Sequence, residues 1–345
     1  MDEKSIKLDK KNRQIIYQLD INSRQSLSKI AKEVGLSQQV VSYRLNNLLK
    51  SNTIKCVTLI DLSKIGFFIH KVYFRLKNTD EKKFNEIVEY IKRNDRVRAL
   101  VRTEGLYDLE VTILARDVIE FNNIIKKWTY MFEEYIHEKA IGVILEKECL
   151  NRYYLIKDNN IPNFNNFNHQ NHSKKTFYGE NHPKKILINK TEFKILKILC
   201  NNSRTSSLDI AKNLNIGIDS VINKIKKLEN TGLITKHTIY INNEKIGQLR
   251  YVILLKLHNL PTREKNLFEF CKNHPNIIRI NKILGEWDSE IHLEIKNHYE
   301  YKEIMSNLKN SFSDIIKWYS PLITYNFYKY NCLPMETIYF ILKVC

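Results

Sequence analysis

Residues 37–48 carry a series of side chains that can form hydrogen bonds to the edges of nucleic-acid bases. Val41, Leu45 and Leu48 recur within this segment at helical spacing, which predicts a helix with one buried stripe. The residues between them would face outward, and their amide, hydroxyl and guanidinium groups are of the types that pair with adenine or guanine. A solvated polar helix face is the alternative interpretation. These candidate DNA-binding residues are Ser37, Gln38, Gln39, Ser42, Tyr43, Arg44, Asn46 and Asn47.

The preceding segments predict how this helix is positioned. An earlier helix has Asp9 at its N-cap, and a second, short helix begins at Ser26 and ends at Gly35, a residue type that commonly terminates helices. Ser37 then caps the third helix. Two short helices joined by a turn form a helix-turn-helix, whose second member lies in the major groove of DNA. The alternating residues 54–61 predict a strand that serves as a wing or as a connection.

The sequence contains two diverged copies of one unit, separated by 180 residues. Residues 8–54 align with residues 188–234 without a gap, so that Asn-Ser-Arg at 22–24 falls on Asn-Ser-Arg at 202–204. Matches at one spacing over so long a span indicate a duplication. Copy one comprises residues 1–156, and copy two comprises residues 187–335.

The helix of copy two that corresponds to residues 37–48 has a different surface. Gly217 replaces the capping serine, and Ile218 and Ile222 widen the apolar stripe. The lysines on this helix are point charges, which suit phosphate contacts better than planar base readout. Copy two is therefore predicted either to anchor the protein on DNA phosphates or to be a degenerate module that contacts protein. Its outward residues are Asp219, Ser220, Asn223, Lys224, Lys226 and Lys227.

The second part of each copy predicts a small domain of β-α-β-β-α-β order, with a tight turn at Gly105 in copy one. This order is the ferredoxin-like split β-α-β pattern. The predicted fold class is α+β, with two winged-type helix-turn-helix domains alternating with two ferredoxin-like domains. The predicted segments are a helix-turn-helix domain over 1–62, a ferredoxin-like domain over 67–156, an asparagine-rich linker over 157–186, a second helix-turn-helix domain over 187–243, a second ferredoxin-like domain over 248–335 and a tail over 336–345.

The chain has 56 Lys and Arg residues against 38 Asp and Glu residues, and its net charge of +18 favours a polyanionic partner, with nucleic acid first and an anionic membrane second. The six cysteines form no Cys-x-x-Cys pair, which predicts reduced thiols in a cytoplasmic protein. No apolar run approaches the ~20 residues of a membrane span, so no membrane partner is expected. Neither a metal nor a cofactor is expected, because solvated loop histidines explain His169, His172 and His182 better than a metal site does.

The order of these motifs, repeated twice, resembles the leucine-responsive regulator (Lrp/AsnC) family. LDKKNRQIIYQL, LSQQVVSYRLNNLL and GLYDLEV are similar to the opening helix, the recognition helix and the central hairpin of that family. The resemblance implies a transcription regulator that pairs as a dimer and binds an amino acid or a similar small molecule between sensing domains, which are the ferredoxin-like domains. The alternative for the hairpin residues is structural: glycines at a turn with positive φ and aspartates that cap it. The effector residues that the resemblance implies are Gly105, Asp108, Gly285 and Asp288.

Two further function classes remain open. Sirohaem decarboxylases have the same architecture and occur as fused pairs, and that resemblance implies a His-Asn-Tyr-type stretch with basic residues on the second strand. The matching segments, VRALVRT over 97–103 and IIRINKIL over 277–284, contain neither His nor Tyr, so an enzyme is not expected. A sequence-blind architectural DNA protein is the third class. The favoured interpretation is a sequence-specific regulator that binds double-stranded DNA and is modulated by an amino-acid-like effector.

Charges on the predicted strands indicate how the two sensing domains meet. The third strand of copy two sends acidic side chains to one face, among them Glu290 and Glu294. A basic face of copy one would complement it, and a coil over 157–186 has a reach of roughly 30 Å. We expect the domains to pair within one chain as an intramolecular pseudo-dimer, with a homo-oligomer as the alternative. The basic face of copy one consists of Lys71, Tyr73, Arg75 and Lys77, with Arg96, Arg98 and Arg102 on the next strand.

Overall fold

The computed structural model describes residues 8–156, 176–177, 185–258 and 261–333. The helices and strands follow the predicted order in both copies, and the predicted α+β class is confirmed. In copy one the elements are α1 Lys10–Ile21, α2 Leu27–Val34, α3 Gln38–Lys50, β1 Ile54–Ile60, β2 Phe68–Leu76, α4 Glu81–Lys92, β3 Val97–Glu104, β4 Leu109–Ala115, α5 Val118–Met131 and β5 Ile136–Cys149. A short strand, β6 Thr176–Phe177, lies between the copies. In copy two the elements are α6 Lys190–Asn201, α7 Ser207–Leu214, α8 Ile218–Asn230, β7 Ile234–Ile241, β8 Leu249–Leu257, α9 Pro261–Asn273, β9 Ile277–Gly285, β10 Ser289–Ile295, α10 His298–Phe312 and β11 Ile316–Tyr330.

Side-chain caps determine where the first three helices begin. The carboxylate of Asp9 accepts a hydrogen bond from the backbone N–H of Asn12 at 2.6 Å. The hydroxyl groups of Ser26 and Ser37 cap α2 and α3 in the same way. Gly35 follows α2 in the left-handed conformation, with φ +66°. These are the caps that the sequence indicates, because each depends only on residues a few positions apart.

The strands of the two copies form one sheet that closes on itself. Copy one contributes β3, β4, β2 and β5, and copy two contributes β9, β10, β8 and β11. The two sets are joined at both edges, because β5 pairs with β9 and β11 pairs with β3. Each of these last strands also pairs with the first sheet strand of its own copy, β5 with β2 and β11 with β8. The inner sheet face of each copy is therefore turned towards the other copy.

The outer face of each set of strands is covered by helices. In copy one, α4 and α5 enclose a core that includes Ile91 and Trp128. In copy two, α9 and α10 enclose an equivalent core that includes Leu267 and Leu308. These side chains are almost fully buried, and each contributes on the order of 1.5–3 kcal/mol. These two cores bury the apolar side chains of the helices and of the outer sheet faces. The inner sheet faces can therefore carry polar residues.

A ribbon of β1 and β7 joins the two helix-turn-helix domains. The strands pair antiparallel, so the predicted wing or connection is a connection between the copies. Beside the ribbon, Ser23 Oγ lies 2.6 Å from Ser203 Oγ. The guanidinium of Arg24 donates to the carbonyl of Ser203 at 2.6 Å, and that of Arg204 donates to the carbonyl of Ser23 at 2.7 Å. These reciprocal contacts between equivalent residues indicate two-fold pseudosymmetry.

Residues 157–186 differ in part from the prediction of a linker without secondary structure. Thr176 and Phe177 form β6, whose backbone pairs with Lys147 and Glu146 of β5. Two residues are too few to show the alternation by which a strand is recognised in sequence. Among the described helices, none combines the length and the apolar character that crossing a lipid bilayer requires. The loop histidines and the tail lie outside the described residues: His169, His172, His182 and 336–345.

Gly105 and Gly285 occupy equivalent places where the backbones of the two copies meet. A Cβ atom on Gly285 would lie 2.4 Å from the carbonyl oxygen of Ile141 in β5. A Cβ atom on Gly105, whose φ is +129°, would lie 2.7 Å from the carbonyl oxygen of Pro321 in β11. Neither distance is compatible with a side chain, so the junction between the copies requires glycine at both positions.

We expect Gly285→Ala to lower the free energy of unfolding by about 1–3 kcal/mol, because the added methyl group must push β5 away from β9. Denaturant unfolding of the full-length protein measures this change. Gly217→Ser is the matched control, because a Cβ atom there meets nothing within 4 Å and φ is −64°. The control should change stability by only a few tenths of a kcal/mol. Equal stability of the Gly285→Ala and parent proteins would contradict the role of this glycine at the junction.

Candidate functional site

The outer surface of α3 carries the polar face that the sequence predicts. Val41, Leu45 and Leu48 are buried on its inner side. Tyr43, near the middle of the outer side, is 69% exposed and therefore has little packing role within the chain. Ser42 is half-buried. The remaining exposed members of the predicted set are Ser37, Gln38, Gln39, Asn46 and Asn47.

Arg44 has partners within copy one. Its guanidinium forms an ion pair with Asp9 at 2.6 Å and donates to the amide oxygen of Asn12 at 2.9 Å. The residue therefore links α3 to the start of α1. Both members of the ion pair are partly exposed, and such pairs contribute only about 0–1 kcal/mol, so the guanidinium can exchange Asp9 for a DNA contact. Base readout by Arg44 stays a prediction.

The corresponding surface of α8 is basic. Asn223, Lys226 and Lys227 are exposed, whereas Ser220 and Lys224 are half-buried. The ammonium of Lys227 forms an ion pair with Glu192 of α6 at 2.7 Å. Lys227 and Glu192 occupy the positions equivalent to Asn47 and Asn12 of copy one, so the ion pair between the first and third helices is made by different positions in the two copies. Lys226 is exposed and, unlike Lys227, makes no ion pair within the described residues.

The predicted effector residues make structural contacts. Asp108 accepts a hydrogen bond from the backbone N–H of Leu76 at 2.6 Å, and Asp288 accepts one from that of Leu257 at 2.7 Å. Each aspartate thus caps the end of the first sheet strand of its copy. Gly105 and Gly285 lie at the junction between the copies. The contacts are structural but differ in part from that alternative, because Gly105 has positive φ whereas Gly285 does not, and the aspartates cap strand ends and not the hairpin turn. An effector role for the four residues stays a prediction.

A buried ion cluster lies between the two inner sheet faces. The ammonium of Lys71 is 2.7 Å from Glu290 of copy two and 2.8 Å from Glu110 of copy one. The hydroxyl of Tyr73 donates to Glu290 at 2.7 Å. Burial alone would raise the pKa of Glu290, but Lys71 and His292 outweigh that effect and hold it well below its usual range. The basic and acidic faces therefore meet at Lys71, Tyr73 and Glu290.

Other charges on these faces pair within their own copy, contrary to the prediction. Arg96 binds Glu120 of α5 at 2.7 Å, and Arg102 binds Glu81 of α4 at 2.8 Å. The pairing of β3 with β4 shifts register just after Val97, so strict alternation of side chains does not hold there. Sequence spacing therefore misplaced these two arginines. Asp288 likewise pairs with Lys256 of its own copy.

Arg152 connects the ferredoxin-like domain of copy two to the helix-turn-helix of copy one. Its guanidinium binds Asp20 of α1 at 2.6 Å and Glu294 of β10 at 2.7 Å. The hydroxyl of Tyr154 donates to the same Glu294 at 2.8 Å. Sequence reasoning missed this link, because Arg152 follows β5 in a segment without helical or strand period. Its proximity to both acidic partners arises only from the fold.

A cavity of about 50 Å³ lies between the inner faces, beside the ion cluster. Its lining includes Arg98 and Lys147 from copy one and Arg250 and Arg279 from copy two. Sequence reasoning singled out Arg98 as part of a basic face but did not bring these four residues together, since they lie on four different strands. None of the four predicted effector residues lines this cavity.

We expect the Glu294 contacts to stabilise the protein less as the pH falls. Burial opposes ionisation of Glu294, but Arg152 and Arg250 outweigh it and lower its pKa to about 2 from the ordinary 4.5. Because the folded-state pKa is the lower one, the contribution is complete above about pH 5 and declines as the pH approaches 2. Denaturant unfolding between pH 2 and 7 should show the parent losing its advantage over Glu294→Gln in that window. Glu303→Gln, on the exposed surface of α10, is the control, and its free energy of unfolding should show the same pH dependence as that of the parent.

Comparisons with known proteins agree with this geometry. An AsnC-type helix-turn-helix domain model matches residues 8–49, and a winged helix-turn-helix DNA-binding model matches residues 188–235. These ranges cover α1–α3, except for the last residue of α3, and α6–α8. A solved structure, that of the sirohaem decarboxylase NirDL, superposes over 96% of this chain and 96% of its own, with a TM-score of 0.61 and 10% identity. At that identity the likeness shows a shared fold for both copies together.

Three curated relatives each match a segment of about one unit, which is at most 33% of this chain. An uncharacterised HTH-type transcriptional regulator of Pyrococcus horikoshii is 31% identical over 116 residues, which are 33% of this chain and 77% of that protein. The HTH-type transcriptional regulator Ptr1 of Methanocaldococcus jannaschii is 29% identical over 30% of this chain and 69% of its own length. LrpA of Pyrococcus horikoshii is 37% identical over 23% of this chain and 52% of its own length. With its unit present twice, the chain belongs to the Lrp/AsnC family of helix-turn-helix transcriptional regulators.

Proposed function

We propose that the protein is a sequence-specific DNA-binding transcription regulator in which copy one reads bases, copy two holds phosphates and a small molecule modulates binding. The observation that carries the proposal is the outer face of α3, where Gln38, Gln39 and Tyr43 are exposed on a capped helix. Amide side chains of this kind make bidentate contacts with adenine. DNA binding and transcription regulation are the function of the family, and sequence specificity and effector control are the parts proposed here.

The two helix-turn-helix domains support binding by one chain as a unit. The β1–β7 ribbon and the reciprocal contacts of Arg24 and Arg204 hold α3 and α8 in a pseudosymmetric arrangement. Helix-turn-helix dimers use such an arrangement to contact half-sites ~34–36 Å apart. The residues that face outward differ, since Gln39 and Tyr43 of α3 correspond to Asp219 and Asn223 of α8. An intramolecular pseudo-dimer with two unlike readers should bind an asymmetric site.

We expect Gln39→Ala to weaken binding to the preferred site by about 1–3 kcal/mol and to change binding to random DNA little, because an amide–base contact is lost. Lys226→Ala should weaken binding to both DNAs alike and lower the slope of log K against log salt by ~0.9, because a phosphate contact is lost. Site selection followed by anisotropy titrations at several salt concentrations measures both effects. Arg44→Ala tests the same assignment, with loss of the Asp9 link checked by thermal unfolding.

Footprinting decides between the proposal and its alternatives. A discrete, asymmetric footprint from one chain is expected. A perfect inverted repeat with α3 at both ends would mean that two chains pair through copy one. Uniform protection without a preferred site, together with equal losses on both DNAs for Gln39→Ala, would identify a sequence-blind architectural protein instead.

A tetrapyrrole-modifying enzyme is the second candidate, because NirDL shares the fold over nearly the whole chain and the interior cavity is basic. The size of the cavity weighs against it. Sites for ligands of drug size occupy about 300–1,000 Å³, and this cavity has about 50 Å³. Titration of the purified protein with iron-uroporphyrin is the test, and saturable binding with a shifted absorption band would favour the enzyme.

A further inference from the structure

The interior between the two inner sheet faces carries more positive than negative charge. Among the described residues that line the cavity, five have a cationic side chain and one, Glu110, has a carboxylate. Lys71 is neutralised by Glu110 and Glu290. The other four cations come from both copies, with Arg98 on β3, Lys147 on β5, Arg250 on β8 and Arg279 on β9.

Two of these arginines have donors without acceptors. Arg250 is 8% exposed, and its Nε makes no hydrogen bond within the described part of the chain. The Nε of Arg279 likewise makes no hydrogen bond within the described residues, although the nearby Cys149 thiol outweighs the effect of burial and raises the pKa of this guanidinium. Burial, reinforced by the charge of Arg279, lowers the pKa of Arg250. A buried, charged donor without an acceptor is unfavourable, and an anion between the two guanidinium groups would satisfy both.

Lys147 indicates the same local excess of positive charge. Its burial, together with the nearby charges of Arg279 and Arg98, lowers its pKa to about 7. A neighbouring anion would favour the protonated ammonium and would add an acceptor for it. Arg250, Arg279 and Lys147 therefore outnumber the carboxylates near them, which are Glu110 in the cavity lining and Glu294 close to Arg250.

We propose that this cavity binds a compact oxyanion with at least two negative charges, either a phosphoryl group or a small dicarboxylate. The inference rests on the proposed function, because it identifies the cavity as the effector site of the regulator. The anion would accept hydrogen bonds from Arg250 and Arg279 of copy two and face Arg98 and Lys147 of copy one. It would therefore bridge the copies, at a place distinct from the hairpin residues that the family resemblance indicates.

The dimensions of the cavity agree with an anion of this size. Its volume of about 50 Å³ corresponds to roughly three to five water molecules, at ~10–15 Å³ each. A phosphate or sulfate ion, or one end of a dicarboxylate, fills a comparable space. A monovalent carboxylate such as acetate would neutralise one cation and leave the others opposed to one another.

The cavity is also connected to the DNA-binding part of copy one. Arg250 helps to lower the pKa of Glu294, whose carboxylate binds Arg152, and Arg152 binds Asp20 of α1. An anion on Arg250 would weaken the attraction between Arg250 and Glu294 and so change the position of this chain of contacts. A coupling of this kind is reciprocal: the anion changes DNA affinity, and DNA changes anion affinity by the same factor.

The test is calorimetric titration of the full-length protein, without DNA, with inorganic phosphate, sulfate, succinate and acetate at constant ionic strength. We expect saturable binding of one phosphate or one succinate per chain, at least tenfold tighter than acetate. Preference for phosphate and sulfate would identify a phosphoryl-bearing effector, and preference for succinate a dicarboxylate. Absence of saturable binding for all three divalent anions would overturn the proposal.

Variants locate the site. The double variant Arg250→Gln, Arg279→Gln should weaken binding at least tenfold, whereas Arg263→Gln, which removes a partly exposed charge on α9, should leave it unchanged. Equal affinity of the double variant and the parent would place the anion elsewhere. If the double variant does not fold, acylation of Lys147 in the parent, followed by mass spectrometry, replaces it. Phosphate or succinate should protect Lys147 and acetate should not, and labelling unaffected by any of them overturns the site.

The role of the anion as an effector is tested by a separate measurement of DNA affinity. Saturating anion should change the affinity for the preferred DNA site at least fivefold, measured at constant ionic strength. An anion that binds in the cavity and leaves DNA affinity unchanged would overturn its role as effector. Failure of the protein to select a DNA site would overturn the proposed function, and the titrations without DNA would still decide whether the cavity binds an anion.

Discussion

The last strand of each copy pairs with its own copy along its first half and with the other copy along its second half. A separate four-stranded sheet would leave unpaired N–H and C=O groups along its edges, which are unfavourable when covered and prone to association when exposed. The long strands β5 and β11 remove both edges. The same pairing sets the register between the copies, so that Lys71 lies beside Glu290 and Gly285 lies against Ile141. The ion cluster, the glycine requirement and the interior cavity all depend on it.

Within this shared framework the two copies have diverged where they face outward. Ser37 caps α3 with its hydroxyl, whereas Gly217 gives α8 no side-chain cap. Tyr43 is replaced by Asn223, Gln39 by Asp219, and Asn46 and Asn47 by Lys226 and Lys227. The buried contacts around Ser23 and Ser203, by contrast, are reciprocal. Divergence on the outer helices and symmetry at the ribbon are compatible with one architecture that carries two different DNA contacts.

Features determined by residues close together in the sequence could be predicted, and features determined by long-range packing could not. Caps at Asp9 and Ser37 depend on residues three positions away, so the sequence predicts them well. The meeting of Lys71 with Glu290 was also predictable, because strand alternation and charge complementarity both apply there. The ion pair of Arg44 with Asp9 depends on how α1 packs on α3, which no local pattern contains.

The interior site was beyond prediction for the same reason. Its four cations are spread over four strands of both copies, and their spacing in the sequence shows no motif. They converge only because the closed sheet superposes residues about half a chain apart. Arg152 is a similar case, since its two carboxylate partners come from α1 and β10.

Covalent joining of the two copies has a consequence for regulation by abundance. A regulator that must dimerise before it binds DNA loses its active form as the square of its concentration at low copy number. Here both readers belong to one polypeptide, and the strands that join them are intramolecular. If one chain binds as a unit, as proposed above, occupancy of a site should respond linearly to the number of molecules in the cell, and a few copies per genome would act as complete regulators.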